Sequence, residues 1–176
     1  MSHPYLREAE ACKFGHGQYL ISERSELVKK YAWAILNDEA IQTLVKYSPI
    51  ISVGSGSGYN EYLLREAGAD ILASDLDPPA ETWMPVLKQE AVEVAREHND
   101  RAIMYCWPHF AYSWPELSLK AYRGNTVLFI GEGKGGCTGS EDFHDLLDEW
   151  DCIDNVCIPR WWGIYDSLTI YHRKGH

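Results

Sequence analysis

The sequence has no uninterrupted apolar run of the roughly 18 residues that a membrane-crossing helix needs, and no basic-apolar leader. Neither a membrane span nor a signal peptide is expected. Cysteine is sparse and unpatterned: Cys12, Cys106, Cys137, Cys152 and Cys157 form an odd set without a CxxC pair, which suggests neither a disulfide framework nor a zinc knuckle. A reducing cytoplasm and no metal site follow as expectations. Basic charge is also short. With 16 Lys+Arg against 26 Asp+Glu, the net charge is −10 and the pI near 5.1, so the basic face needed to grip bulk nucleic acid is missing. Small molecules or proteins are the expected partners. Internal repeats and low-complexity linkers are absent, and 176 residues suit one domain with a continuous core and no room for a second.

What the chain does have is IISVGSGSGYNEYLL, Ile50 to Leu64: a β-branched apolar run, a loop alternating glycine with serine, then a helical pattern. The rest can be ordered around it. Residues 1–22 form a polar, aromatic arm in which Gly15 and Gly17 flank His16. Leu27, Val28, Tyr31, Ala32, Ile35 and Leu36 then mark an amphipathic helix over 22–36, capped by Ser22 or Ser25. A second leading helix, capped by Asn37 or Asp38, ends before Ser48-Pro49. Strand Ile50–Val53, the glycine loop, a helix closed by Gly68 and a short strand ending on Asp75 make a strand-helix-strand unit.

Downstream, Trp83 to Lys88 reads as a helix and Val92 to Val94 as a brief strand. Strands follow at 102–106 and 126–130, helices at 117–122 and 143–150, and a closing strand pair at 153–158 and 167–171. This alternation predicts an α/β sandwich around a mostly parallel sheet.

A glycine loop between strand and helix lets backbone N–H groups and the helix's positive end approach a ligand. Asp75 lies 21 positions after Gly54. In a parallel sheet it neighbours the loop on the carboxyl edge, where a carboxylate accepts ribose hydroxyls. The dinucleotide fingerprint wants its third glycine at position 59. Tyr59 stands there and the glycine is at 58, so an NAD or nucleotide-sugar enzyme fits less well.

Gly-x-Gly-x-Gly after a strand, with an acid ending the next strand, resembles the class I S-adenosylmethionine-dependent methyltransferases. Trp107-Pro108-His109-Phe110 falls where that superfamily has its fourth-strand Asn/Asp/Ser-Pro-Pro-aromatic motif. The likeness in strand order covers about residues 38 to 173. It implies a single Rossmann-like three-layer sandwich, a mostly parallel seven-stranded sheet with an antiparallel last strand. It implies S-adenosylmethionine as cofactor, held by Gly54, Ser55, Gly56, Gly58 and Tyr59, with Asp75 on the ribose and Leu76 and Cys106 beside it. Two positions depart: Ser52 replaces the acid two before the first glycine, and Trp107 replaces the polar head of the fourth-strand motif, which removes support for methylation of a base's exocyclic amine.

Trp107, Phe110, Tyr112, Trp114 and Trp162 either wall a flat, apolar substrate or plug a small core. His109 is the candidate general base. Tyr31 and Trp33 either reach over the cofactor or pack in the core. The loop Gly131 to Gly139 lacks Walker spacing, since Leu128 stands five before Gly133, and reads as a flexible lid or a substrate loop carrying Cys137. The leading expectation is a methyltransferase acting on a small molecule or a protein side chain. The alternative is a methyltransferase-like module that binds without catalysing. Pairing as a homodimer would cover exposed aromatic surface.

Overall fold

The computed structural model describes residues 2–14, 18–19 and 21–175. Gly15, His16 and Gly17 lie outside the described residues, as does the side chain of Ser22. The arm opens with a helix the sequence pattern did not predict, α1 (Pro4–Ala11), capped by the His3 ring, which accepts from the Leu6 N–H. Proline in the first turn is preorganised for a helix start, and Tyr5, Leu6 and Ala9 bury one face. A two-stranded hairpin, β1 (Lys13–Phe14) and β2 (Gln18–Tyr19), leads into α2 (Ile21–Lys30).

That helix stops six residues short of the predicted end. The reason is tertiary: the Trp83 indole N–H donates to the Lys30 carbonyl and the Ser57 hydroxyl to the Tyr31 carbonyl, so side chains take the last carbonyls. Residues 34–36 run on irregularly and bury completely. Asn37 is the cap of α3 (Asp38–Val45), accepting from the Ala40 N–H at 2.9 Å.

The chain then supplies β3 (Ile50–Val53), α4 (Tyr59–Glu66), β4 (Ile71–Asp75), β5 (Val86–Lys88), α5 (Ala91–Glu97) and β6 (Ala102–Cys106). It finishes with α6 (Trp114–Ala121), β7 (Thr126–Gly131), α7 (Glu141–Asp148), β8 (Asp151–Cys157) and β9 (Ser167–His172). Two assignments are corrected. Residues 83–88 hold no helix, since Pro85 breaks any helical ladder there, and Val86–Lys88 instead pairs with β4. Residues 92–94 lie in α5 rather than a strand, because Val94 and Ala95 bury the inner side of one helical turn.

The seven-stranded sheet runs β5-β4-β3-β6-β7-β9-β8. Its strands are parallel except the last in sequence, β9, which is antiparallel to β7 and β8 on either side. Every residue of β3 is buried, as expected of a central strand covered on both faces. One face, through Ile50, Ala73, Met104 and Leu128, packs with α1, α3 and α4. The other, through Ile51, Ile103, Tyr105 and Phe129, meets Val94, Leu119 and Phe143 of α5, α6 and α7. This is the predicted three-layer sandwich. Among the described residues no helix is long and apolar enough to cross a membrane.

The chain leaves β3 for β4 on one side and returns to β6 on the other. The carboxyl ends of β3 and β6 therefore form the switch point at which open α/β sheets bind ligands.

At the opposite edge the Tyr122 hydroxyl donates to the carbonyls of Arg101 (2.6 Å) and Thr126 (3.1 Å), tying the starts of β6 and β7. A Cβ on Gly124 would fall 2.2 Å from that hydroxyl oxygen. Gly124→Ala is expected to lower unfolding stability by ~1–3 kcal/mol through this overpacking. Urea unfolding checks it, and unchanged stability would show that the Tyr122 ring is free to yield.

Candidate cofactor-binding cleft

Gly54, Gly56 and Gly58 all take left-handed φ values, +68°, +54° and +71°, which other residues adopt only with strain. The first has no room for a side chain either: its Cβ would lie 2.6 Å from the Trp114 ring. The loop is anchored to the neighbouring strand, since Ser55 donates its backbone N–H and hydroxyl to the Ser74 carbonyl. Asp75 Oδ2 accepts the Gly56 N–H at 2.9 Å, and its Oδ1 accepts that of Asp77. The predicted loop-acid pair is thus in contact.

Two lobes of a groove open at this point, and Gly54 and Asp75 line both. The first, about 310 Å³, is mainly apolar and bounded by Leu76, Ala91, Val92, Trp114 and Leu117. The second, about 290 Å³, runs past Ser55, Gly56 and Ser57 to Asn60, Glu61, Cys106 and Trp107, with Tyr31 and Trp33 on its outer wall.

Of the residues expected at the cofactor, Gly54, Ser55, Gly56, Asp75, Leu76 and Cys106 line these lobes. Gly58 instead caps the start of α4, its Cβ position 3.1 Å from Val86 and 3.2 Å from Met84. Tyr59 does not face the groove. Its ring is buried against Tyr31 and Trp83, its hydroxyl shares hydrogen bonds with the His3 ring and the Tyr5 N–H, and burial pushes its pKa up to about 12.

The aromatic wall is split rather than shared. Trp114 belongs to the first lobe and stacks near Tyr105. Trp107 belongs to the second, its ring 4.8 Å from that of Trp33 and nearly parallel to it. Phe110 and Trp162 are exposed and line neither lobe. His109 borders the first lobe with its Nδ1 accepting the Ala111 N–H, stacked on Phe110. The 131–139 loop is pinned where a free lid was expected. The Glu132 carboxylate accepts the N–H groups of Cys137 and Tyr165, Phe110 donates its N–H to the Cys137 carbonyl, and Gly139 donates to Pro108.

Trp107 has φ +56°, unusual for a bulky residue, and its indole N–H is shared by both carboxylate oxygens of buried Asp166 at 2.9 Å. Burial pushes Asp166 up to about 6, opposed by the Trp107 bond. The Arg24 guanidinium lies over the rings of Trp107 and Trp33, 5.0 and 5.4 Å from their centroids.

The sequence reading missed two groups in the second lobe. Asn60 and Glu61 open α4 and are almost wholly buried. Ser52, the residue in place of the expected acid, donates its hydroxyl to Glu61 Oε1 at 2.6 Å. Burial pushes the Glu61 carboxyl up to about 7, opposed by the Ser52 bond. A signal existed: both polar residues sit one turn before Leu63 and Leu64, on the apolar face of their own helix.

No family model matches the sequence, and no curated protein sequence matches it significantly. Solved structures do. A magnesium protoporphyrin IX methyltransferase from Synechocystis with bound S-adenosylmethionine is similar at TM-score 0.58 and 11% identity, over 91% of this chain and 87% of that one. A 1,6-didemethyltoxoflavin-N1-methyltransferase from Burkholderia thailandensis, with bound 1,6-didemethyltoxoflavin and S-adenosylhomocysteine, is similar at TM-score 0.51 and 16% identity, over 98% and 91%. The chain has the class I methyltransferase fold.

The raised Glu61 pKa has a stability consequence. Its folded value, about 7, exceeds the unfolded value of about 4.3, so the folded state holds the extra proton between them. This contribution is most favourable below about pH 4.3 and is lost as pH rises to 7. Glu61→Gln is expected to be less sensitive than wild type over that window by ~1–3 kcal/mol, read from urea unfolding at pH 5 and 7.5. Parallel pH dependences in the two proteins would mean that Glu61 titrates normally.

Proposed function

We propose that the groove binds S-adenosylmethionine and that the protein transfers its methyl group to a small, flat acceptor. One observation carries the reading: Gly54 and Asp75 are common to an apolar lobe and a polar lobe, the division that a nucleoside joined to an amino acid requires. The adenine lies among Leu76, Ala91 and Trp114. The ribose hydroxyls meet Asp75, whose oxygens each keep a lone pair beyond the bond they already accept. The methionine half follows the loop into the second lobe. Neighbours of the same fold that hold S-adenosylmethionine or S-adenosylhomocysteine support this cofactor.

Past Cys106, the second lobe ends on Trp107 and on Trp33, which is half exposed. Their stacked faces suit a flat acceptor laid against the outer ring. A sulfonium is already a strong electrophile, so holding the nucleophile in line with the methyl supplies most of what the reaction needs. His109 borders the lobe assigned to adenine, so in this reading it is not the general base.

A binding module without catalysis remains the second reading, favoured by Trp107 at the head of the fourth-strand segment, where no polar group stands to meet an amine. Calorimetric titration with S-adenosylmethionine tests the cofactor. Binding is expected, with Asp75→Ala at least about tenfold weaker. No heat from folded protein, or unchanged affinity in the variant, would overturn the assignment. Methyl transfer to a panel of flat aromatic acceptors separates the two readings, because the silent module binds cofactor and modifies none.

A further inference from the structure

The second lobe contains a polar pair that its own fold leaves incomplete. Asn60 is 2% exposed, and its Nδ2 donates to the Ala34 carbonyl and the Cys106 sulfur, at 3.4 and 3.3 Å. Its Oδ1 is buried with no hydrogen-bond partner among the described residues. An acceptor shut away from water without a donor costs free energy until something supplies one. Beside it in sequence and in the lobe is Glu61, 1% exposed, with the Ser52 hydroxyl on Oε1. Among the described residues neither carboxylate oxygen receives a Lys or Arg, although a buried charge needs a partner. Asn60 and Glu61 therefore present acceptors with no cation in ion-pair contact among the described residues.

We propose that Asn60 Oδ1 and the Glu61 carboxylate together receive the ammonium group of the bound ligand, and that Glu61 gives up a proton as it does so. This rests on the proposed cofactor reading, since the ammonium is that of the methionine half. Burial favours the neutral acid form of Glu61 below about pH 7. The titratable and charged groups around it are Asp75 at the end of β4, whose charge opposes ionisation, Cys106 at the end of β6, kept as the thiol by burial, and Lys29 of α2, which lines the same lobe with its ammonium on Glu26 at 3.3 Å. When the ammonium enters, its N–H groups satisfy Asn60 Oδ1 and pair with the carboxylate. The Glu61 proton leaves to solvent, so the site stays neutral overall. The carboxylate missing at Ser52 is thereby supplied from the first turn of α4, with the Ser52 hydroxyl orienting it. Ligand capture becomes a proton-releasing event.

The test uses two nucleosides, S-adenosylhomocysteine and 5′-methylthioadenosine, which lacks the amino-acid part, titrated calorimetrically in buffers of different ionisation enthalpy. Wild type is expected to release about one proton on binding S-adenosylhomocysteine at pH 6 and almost none at pH 8. Its affinity should fall toward tenfold per pH unit below about 7, while that for 5′-methylthioadenosine stays flat. Glu61→Gln should abolish proton release and weaken S-adenosylhomocysteine about 10- to 100-fold at pH 8, leaving 5′-methylthioadenosine unchanged, which also shows that the variant is folded. Binding of S-adenosylhomocysteine without proton release, or equal weakening of both nucleosides in Glu61→Gln, overturns the inference and leaves the cofactor reading standing. If neither nucleoside binds wild type, both the inference and the cofactor reading are overturned.

Discussion

The hydrogen bond from the Gly56 N–H to Asp75 is the contact around which the groove is arranged. It joins the loop after one strand to the end of the next, and it exists only because the backbone at 54, 56 and 58 turns left-handed. From that bond the chain diverges: β4 and β5 build outward on one side, β6 and the rest of the sheet on the other. The gap between them is the groove. Trp114, packed where a Gly54 side chain would be, lines its apolar lobe.

The N-terminal segment contributes more than a cover. Tyr5, Tyr31, Tyr59 and Trp83 form a chain of ring contacts that fixes α1 and the end of α2 to the start of α4. Burial of these large rings is worth several kcal/mol in aggregate and holds Trp33 at the mouth of the second lobe. A tyrosine in place of the third fingerprint glycine is thus a packing residue, and its size is compatible with the groove because the ring points away from it.

The second lobe has buried polar groups at its base. Asn60, Glu61 and Ser52 sit in a low-dielectric pocket where each unsatisfied group matters more than it would at the surface. Glu61 carries its carboxylate on a helix beside the Ser52 strand, and burial sets its protonation. The Trp107–Asp166 contact has a comparable role at the lobe's end, holding a bulky residue in an unusual backbone conformation so that its ring faces Trp33.

By itself the sequence determined the fold class, the loop and its acid. Period-2 and period-3.6 patterns, glycine spacing and capping residues are local signals, and Ile50–Val53, Gly54–Gly58, Asp75 and Asn37 all carry them. Pro85 is such a signal as well, and it opposes a helix at 83–88. Only the tertiary structure decided where α2 ends, because the donors that stop it, Trp83 and Ser57, come from segments distant in sequence. It alone decided which aromatics meet, separating Trp114 from Trp107 and leaving Phe110 and Trp162 outside. It also decided that Ser52 has a carboxylate beside it. That pairing joins a strand to the following helix across nine residues, and its electrostatics depend on burial that no local pattern encodes.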